Sequence, residues 1–208
     1  MRLILRSLSL PAVLALIGPG HAACAQQSAP SDTAPFRRGQ WALQFAGGSN
    51  FAGLGALKFT SPRSAWLLDF QFSGGHSHQQ IPISPDSVAE QFNSTARFTS
   101  RAGKRFYQPR HEVASYQTLG VLGGFAHDCY GSSALPLGSY CSNGWTAGAF
   151  GEIGAAYLPT PHLSLGGALG VSFAYARTRY GYPGGPTTTS WSYAGTLGTL
   201  SLNVTLYF

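Results

Sequence analysis

The sequence predicts an all-β protein in which eight antiparallel strands close into an up-and-down barrel that crosses a membrane. Three observations support this prediction. Apolar and polar residues alternate with period two through eight runs of the 208-residue chain, a spacing typical of strands with one apolar face. Short and long connections alternate between the runs, and aromatic residues cluster beside the short ones.

Composition excludes several other classes of protein. Charged residues make up 10% of the chain, against roughly 25% in an ordinary soluble domain. An aromatic content of 13% excludes intrinsic disorder, because disordered chains are poor in aromatic residues. Glutamate is too rare for a coiled coil, since it occurs three times. The remaining candidates are soluble and membrane-spanning β proteins.

Residues 1–25 have the features of a secretory signal peptide. Two arginines precede an apolar stretch over residues 8–17, and Ala23-Cys24-Ala25 offers a small-x-small cleavage site. The apolar stretch is too short for a transmembrane helix, which needs about 20 residues. An alternative is lipidation of Cys24, although His21 stands where a lipoprotein signal normally has leucine.

The rest of the chain divides into two parts. Residues 26–39 are polar and contain proline, and we expect a flexible N-terminal segment there. Residues 40–208 contain all eight alternating runs and form the predicted barrel.

Each run places apolar residues at every second position. In the third run, for example, Trp66, Leu68 and Phe70 alternate with other residues. Most runs have at least nine residues, which is long for a globular sheet and suits a tilted membrane-spanning strand. In chain order the runs cover residues 41–46, 51–59, 66–73, 92–106, 118–125, 145–157, 163–175 and 200–208.

The connections indicate which side of a membrane each strand end faces. Short turns follow the even-numbered runs, whereas long loops are expected over residues 74–90, 128–143 and 178–190. Only the connection around residues 47–50 departs from this rule. Transmembrane barrels have short periplasmic turns and longer extracellular loops, and an even strand number leaves both termini on the periplasmic side.

The residue composition of the two strand faces distinguishes a membrane barrel from a soluble one. The less apolar face consists mainly of Gly, Ser, Thr, Ala and Asn, which suit the narrow lumen of an eight-stranded barrel. The apolar face carries bulky groups, with aromatic residues at the short-turn end. We expect six of them to form a membrane girdle, namely Trp41, Phe59, Trp66, Phe106, Tyr157 and Phe208. A secreted soluble barrel is the alternative.

The chain ends on LSLNVTLYF, with apolar residues at every second position from Leu200 to Phe208. This ending resembles the C-terminal signature by which bacterial outer-membrane barrels are recognised for assembly. Residues 40–208 as a whole resemble the eight-stranded outer-membrane barrels of the OmpA transmembrane-domain and OmpX type. The resemblance implies a bacterial outer-membrane location, surrounding outer-membrane lipid, and contact with the barrel-assembly machinery through the last strand.

Two cysteines remain after the signal peptide is removed. Cys129 and Cys141 flank eleven residues rich in turn formers. In an oxidising compartment, such an isolated pair predicts a disulfide that closes a loop. Two unrelated thiols are the alternative.

Strand parity places six charged side chains in the lumen. They are Lys58, Asp69, Arg97, Arg101, Arg105 and Glu152. Acids and bases in so narrow an interior are expected to pair, because an unpaired buried charge is costly. The set therefore predicts a structural salt-bridge network, and a narrow anion-preferring path is the alternative.

Other site chemistries find little support in the sequence. His76 and His78 form an HxH pair, with His127 and Asp128 as the only further metal-ligand candidates, and we expect a solvated loop. The chain lacks the motif of the small outer-membrane barrels that deacylate lipid A, so we predict no enzymatic activity and no cofactor. Nucleic acid is not an expected partner, because the arginines are assigned to the lumen and the periplasmic side.

These features predict a monomeric, non-enzymatic outer-membrane protein with a structural or surface-interaction role. Its extracellular loops would contact a surface ligand that their composition does not identify. The alternative function is a narrow channel for small, preferentially anionic solutes.

Overall fold

The computed structural model describes residues 35–84, 87–133, 139–181 and 185–208. The predicted signal peptide and residues 26–34 lie outside this part of the chain. In the described residues, no helix is long and apolar enough to cross a membrane.

Eight antiparallel strands form a closed barrel in which each strand pairs with its neighbours in sequence and β1 pairs with β8. The predicted fold class is therefore confirmed. The strands are β1 (Trp41–Gly47), β2 (Ala52–Ser61), β3 (Ser64–Ser84), β4 (Ser87–Arg110), β5 (Val113–Ser132), β6 (Ser139–Thr160), β7 (Leu163–Gly181) and β8 (Thr187–Tyr207).

The two ends of the barrel differ. Two-residue connections at 62–63, 111–112 and 161–162 lie at the same end as the start of β1 and the end of β8. We call this the turn end. The opposite end, which we call the hairpin end, carries the β3–β4, β5–β6 and β7–β8 hairpins.

The three hairpins consist mainly of strand and not of the expected long loops. Pairing continues to Ser84 and Ser87 in the first, to Gly131 and Ser139 in the second, and to Gly181 and Thr187 in the third. The prediction of loops over 74–90, 128–143 and 178–190 was wrong for these residues. Outside a bilayer neither strand face has to be apolar, so the period-two signal disappears while backbone pairing continues.

A belt of apolar side chains surrounds the barrel on its outer face. A soluble monomer rarely exposes an apolar patch above a few hundred Å², so a belt on this scale indicates contact with lipid. Its exposed members include Leu43, Phe45, Leu54, Leu68, Leu119, Val121, Ile153, Leu165, Leu169, Phe173 and Leu206.

Aromatic pairs mark the upper limit of this belt, towards the hairpin end. Phe72 contacts Phe98 with ring centroids 5.1 Å apart, and Tyr175 contacts Tyr193 at 5.4 Å. Beyond Phe72, β3 continues for roughly 40 Å along the strand at 3.4 Å per residue. The hairpins therefore extend well past the apolar belt.

The β1–β2 hairpin is much shorter than the other three, and this leaves an opening in the barrel wall. β1 pairs with β8 only from Ala42 to Gly47, opposite Tyr207 to Leu202. Over residues 187–201, β8 therefore pairs with β7 alone among the described strands. A bulge at Gly198, where φ is +84°, interrupts the register of this stretch. Both faces of β8 are largely exposed there.

Candidate functional site

An ion-pair network crosses the middle of the lumen. Asp69 on β3 lies directly opposite Arg101 on β4, and both Nε and Nη2 of Arg101 donate to its carboxylate, at 2.9 and 2.6 Å. Nη1 of Arg101 donates to Oε1 of Glu152 on β6. One guanidinium therefore links three strands, and the two acids that it contacts are buried.

Arg105 lies four residues closer to the turn end and is more deeply buried. Its Nε donates to Thr118 Oγ1 at 2.9 Å, and its Nη1 donates to Gln44 Oε1 at 2.6 Å. Nη2 lies 3.5 Å from Glu152 Oε2. The guanidinium also stacks on Tyr116, 4.2 Å from the ring centroid. Glu152 thus joins the two arginines, and each cation has hydrogen-bond acceptors around it.

The network balances its charge with two arginines against two carboxylates. Such balance matters because an unpaired charge in a low-dielectric interior is costly, whereas a paired and hydrogen-bonded one is tolerated. Four of the six charged residues predicted to lie in the lumen form these contacts. The network also holds both cations in ion pairs and hydrogen bonds that a passing anion would have to break.

Below this network, an aromatic plug fills the lumen at the turn end. Phe36 lies at its centre, with ring centroids 4.7 Å from Phe59, 4.6 Å from Tyr107 and 5.4 Å from Tyr207. The hydroxyl groups of Tyr207 and Ser164 share a hydrogen bond, with 2.9 Å between Oη and Oγ. All four rings are almost completely buried. The plug closes the turn end of the lumen to solvent.

Phe36 corrects the prediction of a flexible N-terminal segment for residues 35–39, the part that the structure describes. Residues 26–39 were expected to be a flexible lead-in, yet Phe36 is buried and Gly39 N–H donates to the Phe59 carbonyl at 2.8 Å. The polar composition of the segment gave no sign of this burial, because the site of Phe36 is formed by side chains from three separate strands.

The facing of β2 differs from the prediction at two site residues. Phe59, expected in the girdle, belongs to the plug, and Lys58, expected in the lumen, is exposed on the outer face. Lys58 Nζ lies 5.0 Å from the centroid of the Trp41 ring. The outward position is favourable because a lysine near the interface can extend its ammonium to water, whereas inside the barrel it would need an acid.

Arg97 shares the inward parity of Arg101 but does not join the network. Its side chain is 60% exposed and lies 3.6 Å from Asp128 Oδ1. Arg97 is therefore at the wide hairpin end of the lumen, which water reaches. The three arginines of β4 predicted to lie in the lumen are therefore two buried, paired residues and one solvated residue.

The other five predicted girdle residues lie on the outer face at the turn end. Their exposed fractions run from 46 to 68%. Lys104 extends over two of them, 5.8 Å from the Trp66 centroid and 5.4 Å from that of Phe106. Contact with the membrane interface stays a prediction for these residues, which are Trp41, Trp66, Phe106, Tyr157 and Phe208.

Inward glycines make room for the large side chains in the lumen. A Cβ at Gly154 would lie 2.5 Å from both the Gly167 carbonyl oxygen and Tyr116 Cζ. Tyr116 Oη accepts a hydrogen bond from Asn203 Nδ2 at 3.0 Å. Glycine at position 154 therefore allows the tyrosine to pack beneath Arg105.

Above the network, a cavity of about 250 Å³ is lined by polar residues such as Gln71, Arg101 and Glu152 and by apolar ones such as Leu122 and Phe150. Beside it, a recess of about 1000 Å³ occupies the opening in the wall and is lined by apolar residues including Phe45, Leu197 and Leu200. Phe51, Thr196 and Thr199 line both spaces. The polar lumen and the lipid-facing surface therefore meet at the wall opening.

The predicted disulfide between Cys129 and Cys141 is present. The two cysteines are cross-strand partners in the β5–β6 hairpin. With His127 they form the single group of three possible metal ligands found among the described residues, but the disulfide occupies both sulfurs. Among the described residues, His76 and His78 do not come together with His127 in a group of metal ligands. His78 Nε2 lies instead 3.8 Å from Glu90 Oε2.

Comparison with known proteins supports the architecture. No protein-family model matches the sequence, and no curated protein matches it. A major outer membrane protein from Thermus thermophilus matches with a TM-score of 0.52 and 12% identity, over 81% of this chain and 99% of that chain. The outer membrane protein OprG from Pseudomonas aeruginosa matches with a TM-score of 0.51 and 11% identity, over 85% and 99%.

The fold is that of the small bacterial outer-membrane β-barrels. Together with the exposed apolar belt, this fold places the chain in the bacterial outer membrane. At these identities the likeness concerns the fold alone.

Sequence reasoning identified the charged members of the network and missed its neutral ones. Gln44 and Thr118 share the inward parity of their strands, so their facing was predictable. The contact of Gln44 with Arg105 was not, because β1 and β4 are separated by two strands in the barrel wall, and that of Thr118 depended on the register between β4 and β5.

Proposed function

We propose that this protein is a non-enzymatic outer-membrane barrel, closed to solute flow along its axis, that acts through the surfaces of its three long hairpins. The plug beneath a charge-balanced network is the observation that supports this proposal. A barrel whose lower lumen is filled with buried side chains has its available surface at the hairpin end. The hairpins extend past the apolar belt, are largely polar, and are exposed to water.

The proposal includes the partners expected from the sequence. Outer-membrane lipid surrounds the apolar belt, and the barrel-assembly machinery reads the C-terminal strand. The protein is a monomer that needs no cofactor and binds no nucleic acid. A surface ligand of unidentified chemistry contacts the hairpins.

The alternative function, an anion-preferring channel, is disfavoured by the same contacts. Arg101 and Arg105 are held by carboxylates, and Phe36, Phe59, Tyr107 and Tyr207 obstruct the turn end. Conduction would require the plug to move.

Planar-bilayer recording tests the closed lumen. We expect no discrete conductance steps from the wild-type protein. The Phe36→Ala/Phe59→Ala variant, with its folding verified by gel mobility, keeps the ion-pair network and should give only brief conductance events that the wild type lacks, whereas the outward Phe106→Ala control should give none. Steady steps from the wild type would contradict the proposal.

Trimming the hairpins tests the surface role. Residues 78–92 can be replaced by Asn-Gly, a two-residue turn that suits the Ser77 and Asn93 pair left at the ends. Attachment of expressing cells to immobilised glycans and extracellular proteins should fall for at least one of three such trimmed variants. Unchanged attachment for all three would oppose the proposed role.

The wall opening favours a second candidate function, the binding or lateral passage of small amphipathic molecules. The apolar recess meets the lumen cavity at Phe51, Thr196 and Thr199, so a single-chain amphiphile could place its chain towards lipid and its head group beside Arg101 and Glu152.

A dye-labelled fatty acid is a suitable probe for this second function. Position 47 has open space around it, so Gly47→Phe should occupy the recess and weaken binding about tenfold, or roughly 1.4 kcal/mol. Position 75 lies outside the recess and also has room, so Gly75→Phe serves as the control. Equal affinity for both variants would oppose this function.

A further inference from the structure

The disulfide lies on the outward face of the β5–β6 hairpin, above the apolar belt. Three successive cross-strand pairs occupy this face, Phe125 with Trp145, then His127 with Asn143, then Cys129 with Cys141. The cysteine pair is four residues beyond the aromatic pair, or roughly 14 Å along the strand. Water and dissolved molecules can therefore reach it.

A histidine is held against one of the two sulfurs. His127 Nε2 lies 3.2 Å from Cys129 Sγ, and His127 Nδ1 lies 2.6 Å from Asn143 Oδ1. Because an amide oxygen only accepts hydrogen bonds, the Nδ1 atom carries the hydrogen in this contact. The hydrogen bond to Asn143 thus orients the imidazole so that its Nε2 atom faces the sulfur of Cys129 and not that of Cys141.

The two sulfurs are consequently unequal in exchange chemistry. In thiol–disulfide exchange the departing sulfur leaves as a thiolate, and its stabilisation speeds the reaction. A neighbouring protonated histidine stabilises a cysteine thiolate. Cys129 is therefore the better leaving group, and Cys141 is the sulfur that an incoming thiolate attacks.

We propose that Cys129–Cys141 is a thiol-exchange site on the cell exterior, where His127 assists the departure of Cys129. The ligand class is a molecule with an accessible thiol, either a small thiol or a protein cysteine. The proposal is independent of the surface role above, because it requires only that the hairpin stands in water.

The reaction balances without an oxidant or reductant beyond the incoming thiol. The incoming thiol gives its proton to water, which passes it to His127 Nε2, and the thiolate attacks Cys141 Sγ in line with the S–S bond. A new S–S bond forms to Cys141 while the Cys129–Cys141 bond breaks. The protonated His127 then gives its proton to the Cys129 thiolate. The products are a mixed disulfide at Cys141 and a free thiol at Cys129, and the reverse attack by Cys129 releases the ligand.

Reduced glutathione is the probe for the test, added to the full folded protein in liposomes. After acid quenching and alkylation, peptide mass spectrometry should find glutathione on Cys141 and the alkyl group on Cys129. His127→Gln should slow adduct formation about tenfold, since the leaving thiolate loses its stabilising partner. His76→Gln changes a histidine on another hairpin and should leave the rate unchanged.

The position of the adduct separates the proposed role from a merely structural one. A variant that only loosened the hairpin would expose both sulfurs and accelerate exchange at either. Asn143→Ala should slow the reaction less than His127→Gln, because the imidazole remains but loses its fixed orientation. Adducts mainly on Cys129, or equal rates in wild type and His127→Gln with intact gel mobility, would overturn the proposal.

Discussion

Asp69 and Arg101 lie directly opposite each other on adjacent strands and form a two-pronged ion pair inside the barrel. Glu152, two strands further round, binds the remaining nitrogen of the same guanidinium. Arg101 is therefore shared between two acids that would repel each other without it. This one residue connects the pairing of β3 and β4 to the opposite side of the lumen.

Replacing the shared arginine should destabilise the barrel strongly. Arg101→Gln leaves two buried carboxylates without their common cation, a loss typically of about 3–5 kcal/mol. Arg179→Gln, on an exposed position of β7, should change stability by no more than about 0.5 kcal/mol. Urea unfolding of both variants in detergent provides the measurement. Equal midpoints would argue that the network contributes nothing.

A methyl group at Gly154 should be poorly tolerated. Its Cβ would meet backbone and the Tyr116 ring at 2.5 Å, so the tyrosine must leave its place beneath Arg105. Overpacking of this kind costs about 1–3 kcal/mol. At Gly151, on the outer face, the nearest atom is 3.4 Å away at a side-chain end. Gly151→Ala should therefore unfold at a urea concentration close to that of the wild type, well above Gly154→Ala.

Phe36 should behave as part of the barrel core. Phe36→Ala removes the ring that contacts Phe59, Tyr107 and Tyr207, and such truncations cost about 3–5 kcal/mol. Arg37→Ala alters the exposed neighbour and should have little effect. Urea midpoints measured as above distinguish the two. If both variants matched the wild type, the plug would not be a stabilising element.

The terminal residue should matter more for assembly than for stability. Phe208→Ala retains the hydrogen bond from the residue 208 N–H to the Trp41 carbonyl, which is 2.9 Å long. The exposed side chain contributes less than the roughly 1.5–3 kcal/mol of full burial. We expect much less protein in the outer membrane of cells, with nearly unchanged refolding into detergent.

Phe106→Ala is the matched control for this prediction. Phe106 is an outward aromatic at the same end of the barrel, but it lies on an internal strand and outside the C-terminal signature. It should lose similar stability and assemble normally. Equal surface levels for the Phe208 and Phe106 variants would remove the evidence for recognition of the C-terminal strand.

The alternation of apolar and polar residues along the chain was enough to predict which face of most strands points outward. In a strand the side-chain period is two, so one apolar face and one small polar face could be assigned without knowing which strands pair. Trp66, Leu68 and Phe70 face outward and Asp69 faces inward, as their parity predicts. Two cysteines in one hairpin sufficed to predict their disulfide.

Strand facing became ambiguous where both parities carried similar residues. In β2, glycines and alanines accompany Leu54 on one face and Leu57 on the other, so Phe59 and Lys58 could be exchanged between the faces. Closure of the barrel resolved the choice. Phe59 fits among Phe36, Tyr107 and Tyr207, whereas Lys58 gains water and the Trp41 ring outside.

The sequence by itself thus determined the number and order of the strands and the lipid-facing belt, since each follows from local periodicity. The tertiary structure alone decided which side chains meet across the lumen. Gln44, Arg105 and Glu152 belong to β1, β4 and β6, and Phe36 precedes the first strand. Such contacts depend on register and barrel radius, which are properties of the closed sheet and of no single segment.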